Sequence, residues 1–218
     1  MKTSREHVLG RIRELGLMPV VRAQSAEEAI QAIDAVRAGG IDVLEVTMTV
    51  PEAVPLIAQV ARRFGKDALI GAGTVLDAET ARACILAGAQ FVVTPTLRME
   101  TIACCKRYGV PVFPGALTPT EVLTAWEAGA DMVKVFPCSA LGGASYIKAL
   151  KAPLPQVDLV PTGGVSLETA ADFIKAGAAA LGVGADLVDL KALREGNAAL
   201  VTERARKLVG IVRTARGA

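Results

Sequence analysis

Eight successive β-then-α units predict an α/β protein, a (β/α)8 barrel with an additional N-terminal helix, and three observations carry that reading. Helical patterns end repeatedly in glycine. Each is followed at once by a short run rich in Val and Ile with no polar alternation, as expected of parallel strands covered on both faces. The pattern continues over residues 1–218 with no break in composition, so one domain of the TIM-barrel class accounts for the chain.

The opening run, residues 1–16, alternates charge with Leu and Ile and reads as an amphipathic helix. The strand MPVVRA (18–23) follows, and glycine-marked boundaries then give AGG-IDVLEVT (38–47), the run after Gly65, AGA-QFVVTP (87–95), YG-VPVFPG (108–115) and AGA-DMVKVFP (128–137). QVDLVPTGG (156–164) and AGA-AALGVG (176–184) supply the last two strands. Gly40, Gly65, Gly88, Gly109 and Gly129 sit where a chain leaves a helix, a position that favours the left-handed backbone only glycine adopts freely. Thr3…Glu6, Ser25…Glu28, Thr49…Glu52 and Thr118…Glu121 have capping-box spacing, with Pro51 and Pro119 just inside two of these starts. A doubly wound open sheet is the competing architecture. It calls for a Gly-x-Gly-x-x-Gly turn after the first strand, and the chain has none there.

Composition narrows the chemistry. Of 218 residues 52% are hydrophobic, 21% charged and only 4% aromatic, so the core is built from Ala, Val, Leu and Ile. Lys and Arg number 24 against 22 acidic residues, a net charge of +2, which argues against nucleic acid or an anionic membrane surface as partner. The single histidine, His7, falls on the opening helix as a solvated residue. Its isolation removes Ser–His and Cys–His nucleophile pairs and His-rich metal sites, so no metal and no cofactor are predicted. Cys84, Cys104, Cys105 and Cys138 form no Cys-x-x-Cys pair and read as small core residues. With no secretory segment and no apolar run approaching the ~18 residues of a membrane span, a reducing cytoplasm is expected.

Ionisable groups inside apolar strands are the sharpest functional signal. Of nine lysines only Lys134 lies in such a run, of thirteen glutamates only Glu45, and of fifteen arginines only Arg22. Strand alternation sets Lys134 on one face with Met132 and Phe136, and Glu45 with Val43 and Thr47. Separately, each charge would be costly to desolvate; in one cavity they compensate one another. A buried lysine with a depressed pKa is an amine nucleophile toward carbonyls, and a neighbouring carboxylate can shuttle its protons. Schiff-base chemistry needs neither metal nor histidine. The glycine-rich turns Thr162–Gly163–Gly164 and Gly182–Val183–Gly184 follow the last two strands, where barrels commonly bind phosphate.

With those residues in view, the chain resembles the bacterial 2-keto-3-deoxy-6-phosphogluconate (KDPG) aldolases and their 6-phosphogalactonate relatives, which are class I pyruvate aldolases. The likeness runs from Pro19 to about Val188 through LEVTM (44–48), IGAGTVL (70–76), VTPT (93–96), FPGALTPTEV (113–122), GADMVKVFP (129–137) and PTGGV (161–165). It implies Lys134 as the Schiff-base lysine and Glu45 as the acid/base working through a water. It implies Thr74 at the pyruvate carboxylate, Thr94 and Pro95 in the pocket wall, and Thr162, Gly163 and Gly164 at the distal phosphate, with Gly182 and Gly184 beside them. It also implies a homotrimer, and as ligands pyruvate and a phosphorylated 2-keto-3-deoxy sugar acid.

The chain departs from the gluconate type where an arginine is common four residues after the glutamate. Thr49 stands there and reads as a helix N-cap, so the carboxylate-binding guanidinium is assigned to Arg22, as in the galactonate type. Ala185 replaces a serine near the phosphate. The resemblance thus implies a carbon–carbon lyase releasing pyruvate and glyceraldehyde 3-phosphate. Alternatives are a 4-hydroxy-2-oxoglutarate aldolase, and a phosphosugar isomerase or epimerase on the same barrel. A metal-dependent aldolase and a non-catalytic phosphosugar-binding barrel are weaker competitors.

Overall fold

The computed structural model describes residues 4–217. Helix α1 (Arg5–Leu15) leads into β1 (Leu17–Val21), α2 (Ala26–Ala38), β2 (Val43–Thr47), α3 (Ala53–Phe64), β3 (Leu69–Gly73), α4 (Ala78–Ala87), β4 (Phe91–Val93) and α5 (Met99–Tyr108). Strands β5 (Val112–Phe113) and β6 (Gly115–Ala116) come next, then α6 (Pro119–Glu127), β7 (Val133–Val135) and a 3-10 turn at Cys138–Leu141. The chain finishes with α7 (Ala144–Lys151), β8 (Leu159–Pro161), α8 (Ala170–Lys175), β9 (Leu181–Val183), α9 (Leu190–Arg194) and α10 (Ala198–Ala215).

All strand pairs are parallel, in a six-stranded sheet ordered β5-β4-β3-β2-β1-β9 and a three-stranded sheet ordered β6-β7-β8. The sheet curls, and the predicted eight strands differ from it in one respect. The run VPVFPG is split into β5 and β6 at Pro114, which has no N–H to give a ladder. The two sheets adjoin across that proline and at an isolated parallel bridge between Thr162 and Gly182.

Strand alternation sorts the core into two clusters. Leu17, Val21, Leu44, Val46, Val133 and Val135 join the layer between strands and helices. The second cluster takes Met18, Val43, Leu69, Phe91, Phe113, Met132, Val160 and Ala180 from around the strands, and Val8, Leu9 and Ile12 from α1. Helix α1 therefore plugs the N-terminal ends of the strands, and its arginines pin it there. Arg5 Nε donates to Asp131 Oδ1 at 2.7 Å, Arg13 Nε to Asp158 Oδ2 at 2.8 Å, and Arg11 pairs with Asp42. His7, on the outer face of this helix, is exposed.

Helix ends follow the sequence with two exceptions. Gly40, Gly65, Gly88, Gly109, Gly129 and Gly177 all have positive φ. Ser25 Oγ accepts from Glu28 N, and Thr118 with Glu121 forms the full reciprocal capping box with Pro119 in the first turn. Thr3 lies outside the described residues, and the cap of α1 is Ser4, whose side chain accepts from His7 N. Thr49 does not cap α3. Its hydroxyl is 2.7 Å from Thr47 Oγ1, residues 48–52 form turns, and α3 begins only at Ala53, after Glu52 in the left-handed conformation at φ 54°. The capping-box reading fails because Glu52, its N3 residue, is in the left-handed conformation and the helix starts only after it, with Pro51 in the preceding turn.

All four cysteines are buried free thiols. Burial pushes Cys84 and Cys138 up to about 11 and Cys105 up to about 12, which leaves these thiols unreactive at neutral pH.

Candidate active site at the carboxyl ends of the strands

Glu45 sits in the middle of β2 and Lys134 in the middle of β7, each on the face opposite the helix-side valines. Both are buried, Glu45 completely and Lys134 to 2% exposure. Space for the carboxylate comes from β3. A Cβ at Gly73 would lie 1.8 Å from Glu45 Oε1, so only glycine fits beside it. Gly71, one pleat below, makes the same kind of room for the Phe91 ring, which stacks on Phe113 with centroids 5.7 Å apart.

Burial drives both ionisable groups toward neutrality. Desolvation lowers the Lys134 pKa; the Glu45 charge opposes this and the Arg22 charge adds to it. Desolvation raises that of Glu45, against the pull of Lys134 and Arg22. Lys134 and Glu45 thus favour each other's charged forms, whereas Arg22 favours the Glu45 carboxylate and disfavours the Lys134 ammonium. Neither carboxylate oxygen of Glu45 has a hydrogen-bond partner in the protein. A buried, unpartnered carboxylate costs folding free energy, and it is free to bond a substrate or a water. Lys134 Nζ lies 5.2 Å from the centroid of the Phe136 ring.

Arg22 falls one residue beyond β1 and is exposed, at the mouth rather than inside the strand. It lines a small cavity with Phe136, Thr162, Gly163, Gly164, Gly182, Gly184 and Asp186, so the structure brings Arg22 and the two glycine-rich turns together. Gly163 and Gly164 have φ of 94° and 76°, and a Cβ on Gly182 would strike the Thr162 hydroxyl at 2.2 Å. Among the described residues, the backbone N–H groups of Gly163, Gly164, Ala185 and Asp186 have no acceptor within the protein. All four residues line this cavity, so their N–H groups are available to a bound anion.

Thr74, Thr94 and Pro95 lie apart from that cavity, at the ends of β3 and β4. Thr74 follows Gly73 and holds φ 56°, an unusual angle for a β-branched residue. Thr94 is committed to the fold, donating to Thr96 O and accepting from Gly115 N at 3.3 Å. Pro95 presses so closely on Gly115 that a Cβ there would lie 2.3 Å from its backbone. No group of three or more His, Cys, Asp or Glu side chains is arranged to hold a metal ion among the described residues.

The family described as "Aldolase: KDPG and KHG aldolase" matches residues 8–204. The chain belongs to that family. The aldolase is 42% identical over 175 residues to the 2-dehydro-3-deoxy-6-phosphogalactonate aldolase of Escherichia coli K12, covering 80% of this chain and 85% of the relative. It is 36% identical over 201 residues to the 2-dehydro-3-deoxy-phosphogluconate aldolase of Treponema pallidum, covering 92% and 95%. Its fold matches a KDPG aldolase from Legionella pneumophila holding pyruvate as a covalent carbinolamine intermediate. That match has a TM-score of 0.85 at 30% identity, covering 95% of this chain and 99% of the other.

One contributor to the candidate site, Gly73, is visible in the sequence only as part of a motif, although an interior strand glycine signals close approach by a neighbour. Phe136, set on the Lys134 face by alternation, brings its ring to the lysine nitrogen.

Proposed function

We propose that the protein is a class I aldolase cleaving 2-keto-3-deoxy-6-phosphogluconate, or its galactonate epimer, to pyruvate and glyceraldehyde 3-phosphate. The observation that carries this reading is the buried Lys134–Glu45 pair, whose amine is driven toward the free base and whose carboxyl oxygens are unpartnered.

Lys134 Nζ attacks C2 of the keto acid, and the carbinolamine loses water to give an iminium. The C3–C4 bond then breaks and its electron pair passes into the iminium, leaving a neutral enamine. Glu45, directly or through a water, takes the proton of the C4 hydroxyl as C4 becomes the aldehyde. Returning that proton to C3 regenerates the iminium, and hydrolysis frees pyruvate and the amine. Arg22 supplies a planar cation to the bound carboxylate or phosphate, and Thr74 a hydroxyl and N–H to the carboxylate. Thr162, Gly163, Gly164, Gly182 and Gly184 shape the distal phosphate site, while Thr94 and Pro95 hold the wall.

A single closed (β/α)8 barrel spanning the chain belongs to the same reading. Its supports are the continuous passage from β5 to β6, the Thr162–Gly182 bridge, and an inner cluster fed from every side. No helix of the described residues is long and apolar enough to cross a membrane. A cytoplasmic homotrimer working without metal, cofactor, membrane or nucleic acid completes the proposal. The exposed Leu76, Leu86, Met99, Leu123, Trp126 and Leu141 all fall between β3 and α7, a one-sided distribution suited to self-association. Cleavage of 4-hydroxy-2-oxoglutarate is a second reading favoured by Asp186, which lines the same cavity as Arg22 and brings a negative charge unfavourable to a phosphate.

Pyruvate release from the two phosphorylated epimers and from 4-hydroxy-2-oxoglutarate, measured side by side, tests the assignment. Release from a phosphorylated epimer, lost in Lys134→Met, is expected. Release from none of the three by the wild type would overturn it.

A further inference from the structure

We propose that the Phe136 ring is an electrostatic partner of the Lys134 nitrogen, stabilising the iminium cation, and is more than an apolar wall. The inference rests on the Schiff-base reading of Lys134.

Lys134 and Phe136 are two residues apart on one strand face, and the nitrogen lies 5.2 Å from the ring centroid, within the range of cation–π attraction. The contact occurs where it should be strong. Lys134 is 2% exposed, so no bulk water competes for a charge that forms there. In the free protein burial already disfavours the ammonium. An iminium places a positive charge on that same nitrogen at the stage when the C3–C4 bond breaks, and something must replace the water it lacks. The Glu45 carboxylate is one candidate, but it must also move protons and so alternates between charged and neutral. The ring does not titrate; its negative face is available at every pH and every stage.

Phe136 also bounds the cavity lined by Arg22, Thr162 and Gly163. The ring thus borders both the Lys134 nitrogen and the cavity that Arg22 lines.

A fluorinated series separates charge stabilisation from shape. Phenylalanine at position 136 is replaced in turn by its mono-, di-, tri- and tetrafluoro analogues, which progressively weaken the negative face at nearly constant size. The rate of covalent capture with pyruvate and borohydride is measured for each, with Lys134→Met as the reference. A stepwise fall of about tenfold across the series is expected, with the acid limb of capture moving to lower pH as ammonium stabilisation weakens. A flat series, with capture abolished in Lys134→Met, overturns the role of Phe136 and leaves the Schiff-base reading intact. Capture that persists in Lys134→Met overturns both.

Discussion

The two ends of the strands obey different rules. At the N-terminal end α1 fills the interior with Val8, Leu9 and Ile12, and three arginine–aspartate pairs fasten it to the loops before β2, β7 and β8. At the carboxyl end, along the same strands, a completely buried glutamate has both oxygens unpartnered and a buried lysine is pushed toward neutrality. Glycines with positive φ leave backbone N–H groups unused there. One end spends its side chains on packing and pairing; the other keeps polar groups unsatisfied at a cost in stability. That asymmetry separates an end that holds the fold from an end whose polar groups are left available to a ligand.

Breaking each end separately sharpens the contrast. At the carboxyl end, Glu45→Gln is expected to lower kcat by about 10²- to 10⁴-fold, the usual worth of a positioned acid/base. Steady-state pyruvate release measures it, and an unchanged kcat would remove Glu45 from the mechanism. At the other end, Ile12→Ala should cost roughly 2–5 kcal/mol in urea unfolding, because it opens a cavity in a fully packed cluster. Activity below the unfolding transition should stay within about twofold of wild type.

Stability against pH distinguishes the ends again. The folded pKa of Glu45 is raised by burial, so its contribution is complete below the ordinary glutamate value of 4.5 and is lost as pH rises through the raised value. Urea midpoints of Glu45→Gln should therefore fall less than those of wild type between about pH 4.5 and neutrality. A smaller effect is expected from Arg22→Met. Arg22 helps lower the Lys134 pKa, so removing it should move the acid limb of imine formation to higher pH. An acid limb that stays in place would detach Arg22 from the amine.

The same asymmetry explains what was legible in the sequence. The strand–helix repeat could be read because Gly40, Gly88, Gly109, Gly129 and Gly177 mark chain reversals that only local backbone geometry decides. Lys134 and Glu45 stood out because a charge in an apolar strand contradicts its surroundings. The division of one strand at Pro114 is marked in the sequence only by that residue's missing N–H donor. The start of α3 differs from the capping-box spacing because Glu52 turns left-handed and delays the helix to Ala53, a backbone choice that residue spacing does not encode. Thr94 shares a site motif, yet its hydroxyl braces Gly115. The space at Gly73 depends on a neighbouring strand's side chain, and register is fixed only by the assembled sheet.

The claim that the carboxyl end is built for imine chemistry is tested most directly by locating the covalent adduct. The protein is incubated with pyruvate and borohydride, digested, and its peptides are weighed. The account predicts a reduced pyruvate adduct on the peptide containing Lys134 and on no other lysine. An active protein that yields no adduct, or carries it elsewhere, would contradict it.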